Sequence, residues 1–187
     1  MPEGRLFILS GPSGVGKDAA IKTLKARGFP MHYAVTATTR PIREEEVAGV
    51  DYLFLSHAEF DRLLDEDGFL EHADVYGERY GTPKAQVLPH LARGRDVLLK
   101  VDVQGADTVK ERMPQTIRIF LAPPSYSVLE RRLRDRERLR VSEAKLLARL
   151  HQVESEMAHA GEYDWVVYNR DEELEAAVDD IEAILRS

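Results

Sequence analysis

Short apolar runs recur along the chain and predict the strands of a buried sheet. Two of them, RLFILS at residues 5–10 and VLLKV at 97–101, contain few polar positions. Strands that are apolar on both faces are typical of parallel sheets covered by helices on both sides. We predict strands at residues 5–10, 33–36, 51–55, 97–101, 116–121 and 163–168.

Between these runs, apolar residues recur every three or four positions, which predicts amphipathic helices. Ala20, Ile21 and Leu24 give this spacing to the first helix, and Ser56 with Glu59 forms a capping box that begins another. Further helices are predicted at residues 83–93, 104–112, 142–160 and 174–185 and after Ser125. Residues 76–83 contain glycines, a proline and two tyrosines, which predicts turns and a binding surface rather than core.

A glycine-rich segment follows the first predicted strand and precedes the first predicted helix. Its sequence, GPSGVGKD, fits the G-x-x-x-x-G-K pattern of a phosphate-binding loop. Glycines let the backbone curl without Cβ clashes, so several N–H groups face one phosphate, and the helix N-terminus adds partial positive charge. The lysine then reaches the β- and γ-phosphates of a nucleotide. This phosphate loop consists of Gly11, Pro12, Ser13, Gly14, Val15, Gly16, Lys17 and Asp18.

One position departs from the usual pattern of such loops. The residue after the lysine is normally Ser or Thr, whose hydroxyl binds Mg²⁺, and here it is Asp18. A carboxylate also binds Mg²⁺, directly or through water, so Asp18 is a candidate metal ligand. Its negative charge beside phosphate oxygens requires a geometry that differs from the usual one.

Two arginines three positions apart lie on a segment that Pro41 keeps out of a continuous helix. Arg40 and Arg43 each offer a planar fork of donors that suits an anion. The alternative is a solvated loop in which these arginines pair with the acidic residues 44–46. The residues by themselves leave both interpretations open.

Residues 130–140 contain arginines at positions 131, 132, 134, 136, 138 and 140. They fit either a solvated helix face with Glu–Arg pairs or a lid that closes on transferring phosphates, and the phosphate loop favours the lid.

Asp102 stands at the carboxyl end of the strand 97–101, where ligands bind in open parallel sheets. We expect Asp102 to orient a metal or a water there.

The alternation of strands and helices around a phosphate loop predicts an α/β fold of the P-loop NTPase type, with a parallel sheet wrapped by helices. A length of 187 residues suits one domain. We expect its core at about residues 1–35, 91–125 and 150–187, an inserted region at about 36–90 and a mobile lid at about 126–149.

Composition narrows the class of protein further. The chain has no cysteine, which excludes disulfides and thiolate chemistry, and no apolar run approaches the 18 residues that a membrane-spanning helix needs. The N-terminus lacks the pattern of a signal peptide, so we expect a cytoplasmic protein without a membrane partner. The net charge of −7 disfavours broad binding of nucleic acid.

The motifs taken together resemble the guanylate kinase family over nearly the whole chain. The resemblance rests on GPSGVGK, TTRPIR, EVAGVDYLF, FLEHADVYGERYGT, VDVQGA and SEMAHAGEYDWVVYN. It implies that the chain transfers the γ-phosphate of ATP to GMP, with Mg²⁺ as cofactor and these two nucleotides as small-molecule partners. The phosphate loop would then bind ATP, and the inserted region would bind GMP.

The resemblance also implies roles for single residues. Glu71 would read the guanine edge, with Thr36 and Thr82 nearby, while arginines and tyrosines hold the GMP phosphate. The residues implied in GMP binding are Thr36, Arg40, Arg43, Tyr52, Glu71, Tyr80, Thr82 and Asp102. Those implied in catalysis are Lys17, Asp102, Arg136, Arg138 and Arg149. The lid is about two residues longer than in the family, which leaves open whether Arg136 or Arg138 faces the transferring phosphate.

Three residues depart from the family pattern. Asp18 replaces Ser or Thr, Lys100 replaces the first Asp of a D-x-D pair, and Glu45 stands in place of a glycine. A carboxylate has appeared at one place near the phosphates and a cation at another. We hypothesise that Asp18 and Lys100 are coupled, as an ion pair or through a Mg²⁺ shell shared with Asp102; two independent changes are the alternative.

Two other functions stay open at this point. Ribose 1,5-bisphosphate phosphokinases share the fold and also carry Asp after the loop lysine, but they have no need for the predicted GMP-binding set. A catalytically silent nucleotide-binding or scaffold module would commonly lack the loop lysine, which this chain retains as Lys17.

Overall fold

The computed structural model describes residues 3–75, 77–137 and 143–187. Its strands are β1 (Leu6–Ser10), β2 (His32–Tyr33), β3 (Ala37–Thr38), β4 (Leu53–Phe54), β5 (Phe69–Val75), β6 (Glu78–Pro83), β7 (Val97–Lys100), β8 (Ile117–Ala122) and β9 (Trp165–Tyr168). Its α-helices are α1 (Lys17–Ala26), α2 (His57–Asp65), α3 (Leu88–Leu91), α4 (Val103–Arg112), α5 (Tyr126–Glu137), α6 (Glu143–Ala158) and α7 (Leu174–Arg186).

The strands form two sheets. The larger has the order β2-β7-β1-β8-β9, in which β2 pairs with β7 and β8 pairs with β9 in parallel. The smaller has the order β4-β3-β6-β5, with β3 parallel to β4 and β6 antiparallel to both of its neighbours. The parallel sheet with helices expected from the sequence is therefore confirmed.

The chain divides into two compact units. The first unit comprises Met1–Ile8 and Met31–Ile117, and the second comprises Leu9–Pro30 and Arg118–Ser187. Strand β1 begins in the first unit and ends in the second. The predicted single domain, with its core, inserted region and lid, stays a prediction.

Buried apolar side chains hold the first unit together. Residues 97–99 of β7 are buried, as their continuous apolar pattern predicts. The smaller sheet has a cluster of its own, in which Ala37 packs with Phe60 and Phe69, and the two phenyl rings stack at 4.4 Å between centroids. The capping box predicted at Ser56 is present and begins α2. This cluster fixes the strands that carry much of the predicted GMP-binding set.

The second unit is built on β8 and two helices that contact each other. Residues 119–122 of β8 are buried, as are Leu24 of α1 and Ile181 of α7. Arg27, at the end of α1, donates hydrogen bonds to three carboxylates of α7, those of Glu175, Asp179 and Glu182. The helix that follows the phosphate loop is thereby held at its far end.

The structure corrects the interpretation of residues 76–83 as turns. The segment Glu78–Pro83 is strand β6 and pairs antiparallel with β5, while the turn itself lies at Gly77, which has φ of +82°. Gly81 belongs to the strand interior, where a Cβ would lie 2.8 Å from the ring of Phe69. The glycine therefore permits a close contact and does not mark a turn.

Other element boundaries also differ from the sequence prediction. Pro83 pairs with Phe69 at the end of β6, so the predicted helix 83–93 is reduced to a 3₁₀ turn at Lys84–Gln86 and the short helix α3. The predicted strand 33–36 is replaced by β2 and β3, which precede and follow Thr36. The predicted helix 142–160 ends at Ala158 in a second 3₁₀ turn, His159–Glu162.

In the part of the chain that the structure describes, no helix has the length and apolar character needed to cross a membrane.

Candidate functional site

The phosphate loop belongs to the second unit and joins β1 to α1. Its glycines have positive φ angles, +136° at Gly11 and +105° at Gly16, which L-residues rarely adopt. A Cβ at Gly11 would lie 2.2 Å from the carbonyl oxygen of Leu121, and one at Gly16 would lie 2.5 Å from Nδ2 of Asn169. Conformation and packing therefore both require glycine at these positions.

Lys17 is the first residue of α1 and its side chain turns back over the loop. Its Nζ donates to the carbonyl oxygens of Gly11 at 2.5 Å and Pro12 at 3.1 Å. The ammonium group is thus held beside the curve of the backbone. A lysine in this position can neutralise phosphate charge near the loop.

Two residues that hold the loop were missed from the sequence. The buried side chain of Asn169 donates from Nδ2 to the carbonyl oxygen of Val15 at 2.7 Å. The buried carboxylate of Glu156 accepts from the backbone N–H of Ser13 at 3.3 Å and from Gln152 at 2.9 Å. Both residues lie in the motif SEMAHAGEYDWVVYN, at its second and last positions. Their place in this motif was the sequence signal that could have identified them as functional residues.

Asp18 lies in the first turn of α1, where its carboxylate is exposed and favourably placed for the helix dipole. Among the predicted lid arginines, Arg136 belongs to α5 and Arg149 to α6, but their side chains lie outside what the structure describes. Arg138 lies outside the described residues altogether. The roles of these arginines stay predictions.

Three other arginines of α5 are paired with carboxylates of the second unit. Arg131 and Arg132 both contact Asp171, the latter at 2.8 Å, and Arg134 contacts Glu130 at 2.9 Å. The alternative of a helix face with ion pairs therefore describes this first part of the arginine-rich segment.

Arg40 is a buried arginine of the first unit with a carboxylate partner. Its Nη1 and Nη2 donate to the two oxygens of Glu46 at 2.8 and 2.6 Å, and its Nε donates to the Tyr80 hydroxyl at 3.3 Å. Burial acts to lower the pKa of Arg40, but the hydrogen bonds to Glu46 and Tyr80 outweigh it and raise that pKa above its ordinary value. The same ion pair lowers the pKa of Glu46. The Arg–Glu pair considered for this loop thus exists at Arg40.

The remaining members of the predicted phosphate set extend this group. Tyr52 lies under the guanidinium of Arg40, whose Cζ is 5.0 Å from the ring centroid, and meets Tyr80 edge-on at 6.1 Å. The side chain of Arg43 is exposed, while its backbone N–H donates to Glu46 at 2.9 Å. Arg40, Tyr52 and Tyr80 are therefore brought together, and Arg43 lies on the adjoining loop.

Glu71 is a carboxylate on β5 that is only 3% exposed. Its Oε1 accepts from the Thr82 hydroxyl at 2.5 Å. Burial raises the pKa of Glu71 to about 7, and the charge of Asp102 adds to this rise, although the hydrogen bond from Thr82 opposes it. A buried carboxylate in this state titrates near neutral pH, where it can accept hydrogen bonds from a ligand when ionised.

Asp102 lies close to Glu71 across Gly105. Its Oδ1 accepts from the backbone N–H of Gly105 at 2.7 Å and so caps α4. A Cβ at Gly105 would lie 3.0 Å from Oε2 of Glu71 and 3.2 Å from Oδ1 of Asp102. The buried Thr36 hydroxyl donates to the carbonyl oxygen of Lys100 at 3.3 Å. The predicted base-reading residues therefore belong to the first unit together with the phosphate set.

Comparisons with known proteins agree on one family. A family model described as guanylate kinase matches residues 3–187. The guanylate kinase of Thermus thermophilus is 47% identical over 182 residues, which cover 97% of this chain and 80% of that protein. The guanylate kinase of Carboxydothermus hydrogenoformans is 42% identical over 185 residues, covering 99% of this chain and 89% of that protein.

A solved structure gives the same result. The crystal structure of guanylate kinase from Anaplasma phagocytophilum is 32% identical and aligns with a TM-score of 0.76 over all of this chain and 86% of that chain. These matches do not favour a ribose 1,5-bisphosphate phosphokinase.

Proposed function

The chain belongs to the guanylate kinase family, and we infer that it transfers the γ-phosphate of ATP to GMP, giving ADP and GDP. The observation that most directly supports this acceptor is the buried carboxylate of Glu71, held by the hydroxyl of Thr82. A buried carboxylate needs hydrogen-bond donors, and the guanine edge supplies two of them together.

Glu71 selects the base through the hydrogen bonds that its carboxylate accepts. In its ionised form it accepts from guanine N1–H and from the 2-amino group. Adenine has a bare N1 acceptor and no 2-amino group, so it would leave the buried carboxylate without these partners, which is costly. We expect Asp102 and the hydroxyls of Thr36 and Thr82 to add further polar contacts to the base.

The acceptor phosphate is held by a group of cationic and phenolic side chains. Arg40, Tyr52 and Tyr80 contact one another, which favours joint binding of a single phosphate. Arg43 adds a second guanidinium from the same loop. Glu46, which holds Arg40 in place, must share that arginine with the phosphate when GMP binds.

The phosphate loop binds ATP with its backbone N–H groups and with Lys17. Phosphoryl transfer needs alignment and charge neutralisation more than it needs a strong base. Lys17 neutralises the β- and γ-phosphates, and Arg136, Arg138 and Arg149 add positive charge during transfer. The anchors Glu156 and Asn169 keep the loop in its curved form.

Mg²⁺ fits the residues at the start of α1. The exposed carboxylate of Asp18 directly follows Lys17 and offers the oxygen ligand that Mg²⁺ prefers. One carboxylate is sufficient, because Mg²⁺ in such proteins keeps several waters and takes further ligands from substrate phosphates. When bound, Mg²⁺ neutralises charge on the β- and γ-phosphates.

The cytoplasmic location and the absence of nucleic-acid partners stay predictions.

Release of ADP from MgATP tests the choice of acceptor. The purified protein is given GMP or ribose 1,5-bisphosphate, and Lys17→Met serves as the inactive control. We expect ADP release that depends on GMP and is lost in the control. Turnover of ribose 1,5-bisphosphate in preference to GMP would overturn the proposal in favour of that kinase, and no turnover with either acceptor would favour the silent module.

A further inference from the structure

We propose that Lys100 is an additional binding residue for the acceptor phosphate and acts together with Tyr52. The inference rests on the proposed function, because it concerns the phosphate of GMP. The family resemblance assigns Arg40, Arg43, Tyr52 and Tyr80 to this phosphate but not Lys100.

The contact between Lys100 and Tyr52 is direct. Nζ of Lys100 lies 3.2 Å from the hydroxyl oxygen of Tyr52 and 4.6 Å from the centroid of its ring. Both distances suit a cation that makes a hydrogen bond with a phenol and a cation–π contact with the same ring. The ammonium group is therefore held at one member of the predicted phosphate set.

Two cationic side chains, those of Arg40 and Lys100, contact the ring of Tyr52. Arg40 contacts this ring at 5.0 Å and also donates to the hydroxyl of Tyr80. The two oxygens of Glu46 offset part of the attraction of Arg40 for an anion. Lys100 adds a further positive charge at the phenols, which strengthens the attraction for a phosphate that carries up to two negative charges.

The direction of the hydrogen bond prepares Tyr52 for an anion. An ammonium group only donates, so the phenolic oxygen of Tyr52 is the acceptor in its contact with Lys100. The O–H of Tyr52 is then the group that it can offer to a phosphate oxygen. Lys100 thereby both adds charge and orients the donor of its neighbour.

The backbone fixes the position of Lys100. It is the last residue of β7, whose pairing with β2 continues up to Leu98, and its carbonyl oxygen accepts from the buried hydroxyl of Thr36 at 3.3 Å. The half-buried side chain starts from this fixed point to reach Tyr52. A lysine that is ordered before binding loses less rotamer freedom when the ligand arrives.

Calorimetric titration with GMP and with guanosine tests the inference, because the two ligands differ only in the phosphate. We compare the unmodified protein with Lys100→Met, which keeps the length of the side chain without its charge, and with Lys100→Arg. Lys100→Met should weaken GMP binding about tenfold, as expected for a charged hydrogen bond that is partly exposed. Guanosine binding should change less than about twofold, and Lys100→Arg should keep most of the GMP affinity.

Lys84→Met is the matched control, because it removes the charge of another lysine of the first unit that pairs with Asp67 at 2.5 Å. It should leave the affinities for both ligands unchanged. Lys100→Gln provides a second neutral variant if Lys100→Met folds poorly. Combining Lys100→Met with Tyr52→Phe should weaken GMP binding by less than the product of the single effects.

Two results would overturn the inference. Equal weakening of GMP and guanosine would give Lys100 only a structural role, and an unchanged GMP affinity would give it no role in binding. Either result combined with GMP-dependent ADP release by the unmodified protein would leave the proposed function intact. Failure of the unmodified protein to turn over GMP would instead refute the proposed function itself.

Discussion

Burial raises the pKa of Glu71, an effect that the sequence alone does not reveal. An ordinary glutamate is ionised at pH 7, whereas burial raises the pKa of Glu71 to about 7. The folded chain therefore holds a proton there that the unfolded chain has released above about pH 5. Ionisation of this carboxyl costs stability, and we expect it to favour guanine binding.

We predict that GMP binding and stability respond to pH in opposite directions. Guanosine affinity should fall as the pH is lowered from about 8 to 6, because Glu71 becomes protonated. Since the folded pKa is raised, the contribution of Glu71 to stability declines as the pH rises from about 5 through 7. Glu71→Gln should raise the free energy of unfolding at pH 8, by an amount on the order of 2 kcal/mol. Titration with guanosine and chemical unfolding at several pH values measure both effects; pH-independent guanosine binding would contradict this role.

We predict that Arg40 and Arg43 act on GMP and differ in their importance. Arg40 is 8% exposed and bonded to Glu46 and Tyr80, whereas the side chain of Arg43 is exposed. Arg40→Ala should raise the KM for GMP at least about tenfold, as expected for loss of a charged hydrogen bond. Arg43→Ala should have a smaller effect, and neither change should alter the KM for ATP as much. Equal increases for both substrates would indicate loss of the fold instead.

Among the elements, the phosphate loop depends on side chains from distant parts of the second unit. Asn169 reaches the loop from just after β9, and Glu156 reaches it from α6. Both contacts are made to the backbone of the loop, so they fix its shape without contributing to the glycine pattern that identifies it.

We predict that Asn169→Ala loosens the loop. It leaves the carbonyl oxygen of Val15 without its 2.7 Å donor, a loss of roughly 1–3 kcal/mol for a buried acceptor. The KM for ATP should rise several-fold, while guanosine binding by the first unit stays unchanged. Steady-state kinetics and guanosine titration check this. An unchanged KM for ATP would mean that the loop keeps its shape without this anchor.

We predict that strand β6 tolerates no side chain at Gly81. A Cβ there would lie 2.8 Å from the Phe69 ring, which is itself packed on Phe60. Gly81→Ala should lower the free energy of unfolding by about 1–3 kcal/mol through overpacking. Gly161→Ala is the control, because nothing lies within 4 Å of the Cβ it would introduce. Chemical unfolding compares the two variants, and equal stability would contradict the close packing.

At the level of the whole molecule, the two sets of predicted substrate-binding residues belong to different compact units. The phosphate loop lies in the second unit, and the predicted GMP-binding residues lie in the first. We therefore expect phosphoryl transfer to need residues from both units. The hypothesis that Asp18 and Lys100 are coupled concerns one residue from each unit and stays a prediction.

Local patterns in the sequence predicted the features that depend on local physics. The phosphate loop, the capping box at Ser56 and the buried strand β7 follow from glycine spacing, cap chemistry and apolar runs. Contacts between distant residues could not be predicted in this way. Asn169 lies 154 positions from its partner Val15, and the reason for Gly81 is the ring of Phe69. Both residues belong to motifs that the sequence shows, but the motifs do not indicate which distant group each residue contacts.

The ratio of kcat/KM for GMP to that for AMP tests the central claim most directly. Glu71 should give the unmodified protein a strong preference for GMP, because adenine would leave a buried carboxylate without its donors. Glu71→Gln should reduce this preference while the KM for ATP stays nearly unchanged. Equal turnover of GMP and AMP by the unmodified protein would contradict the account.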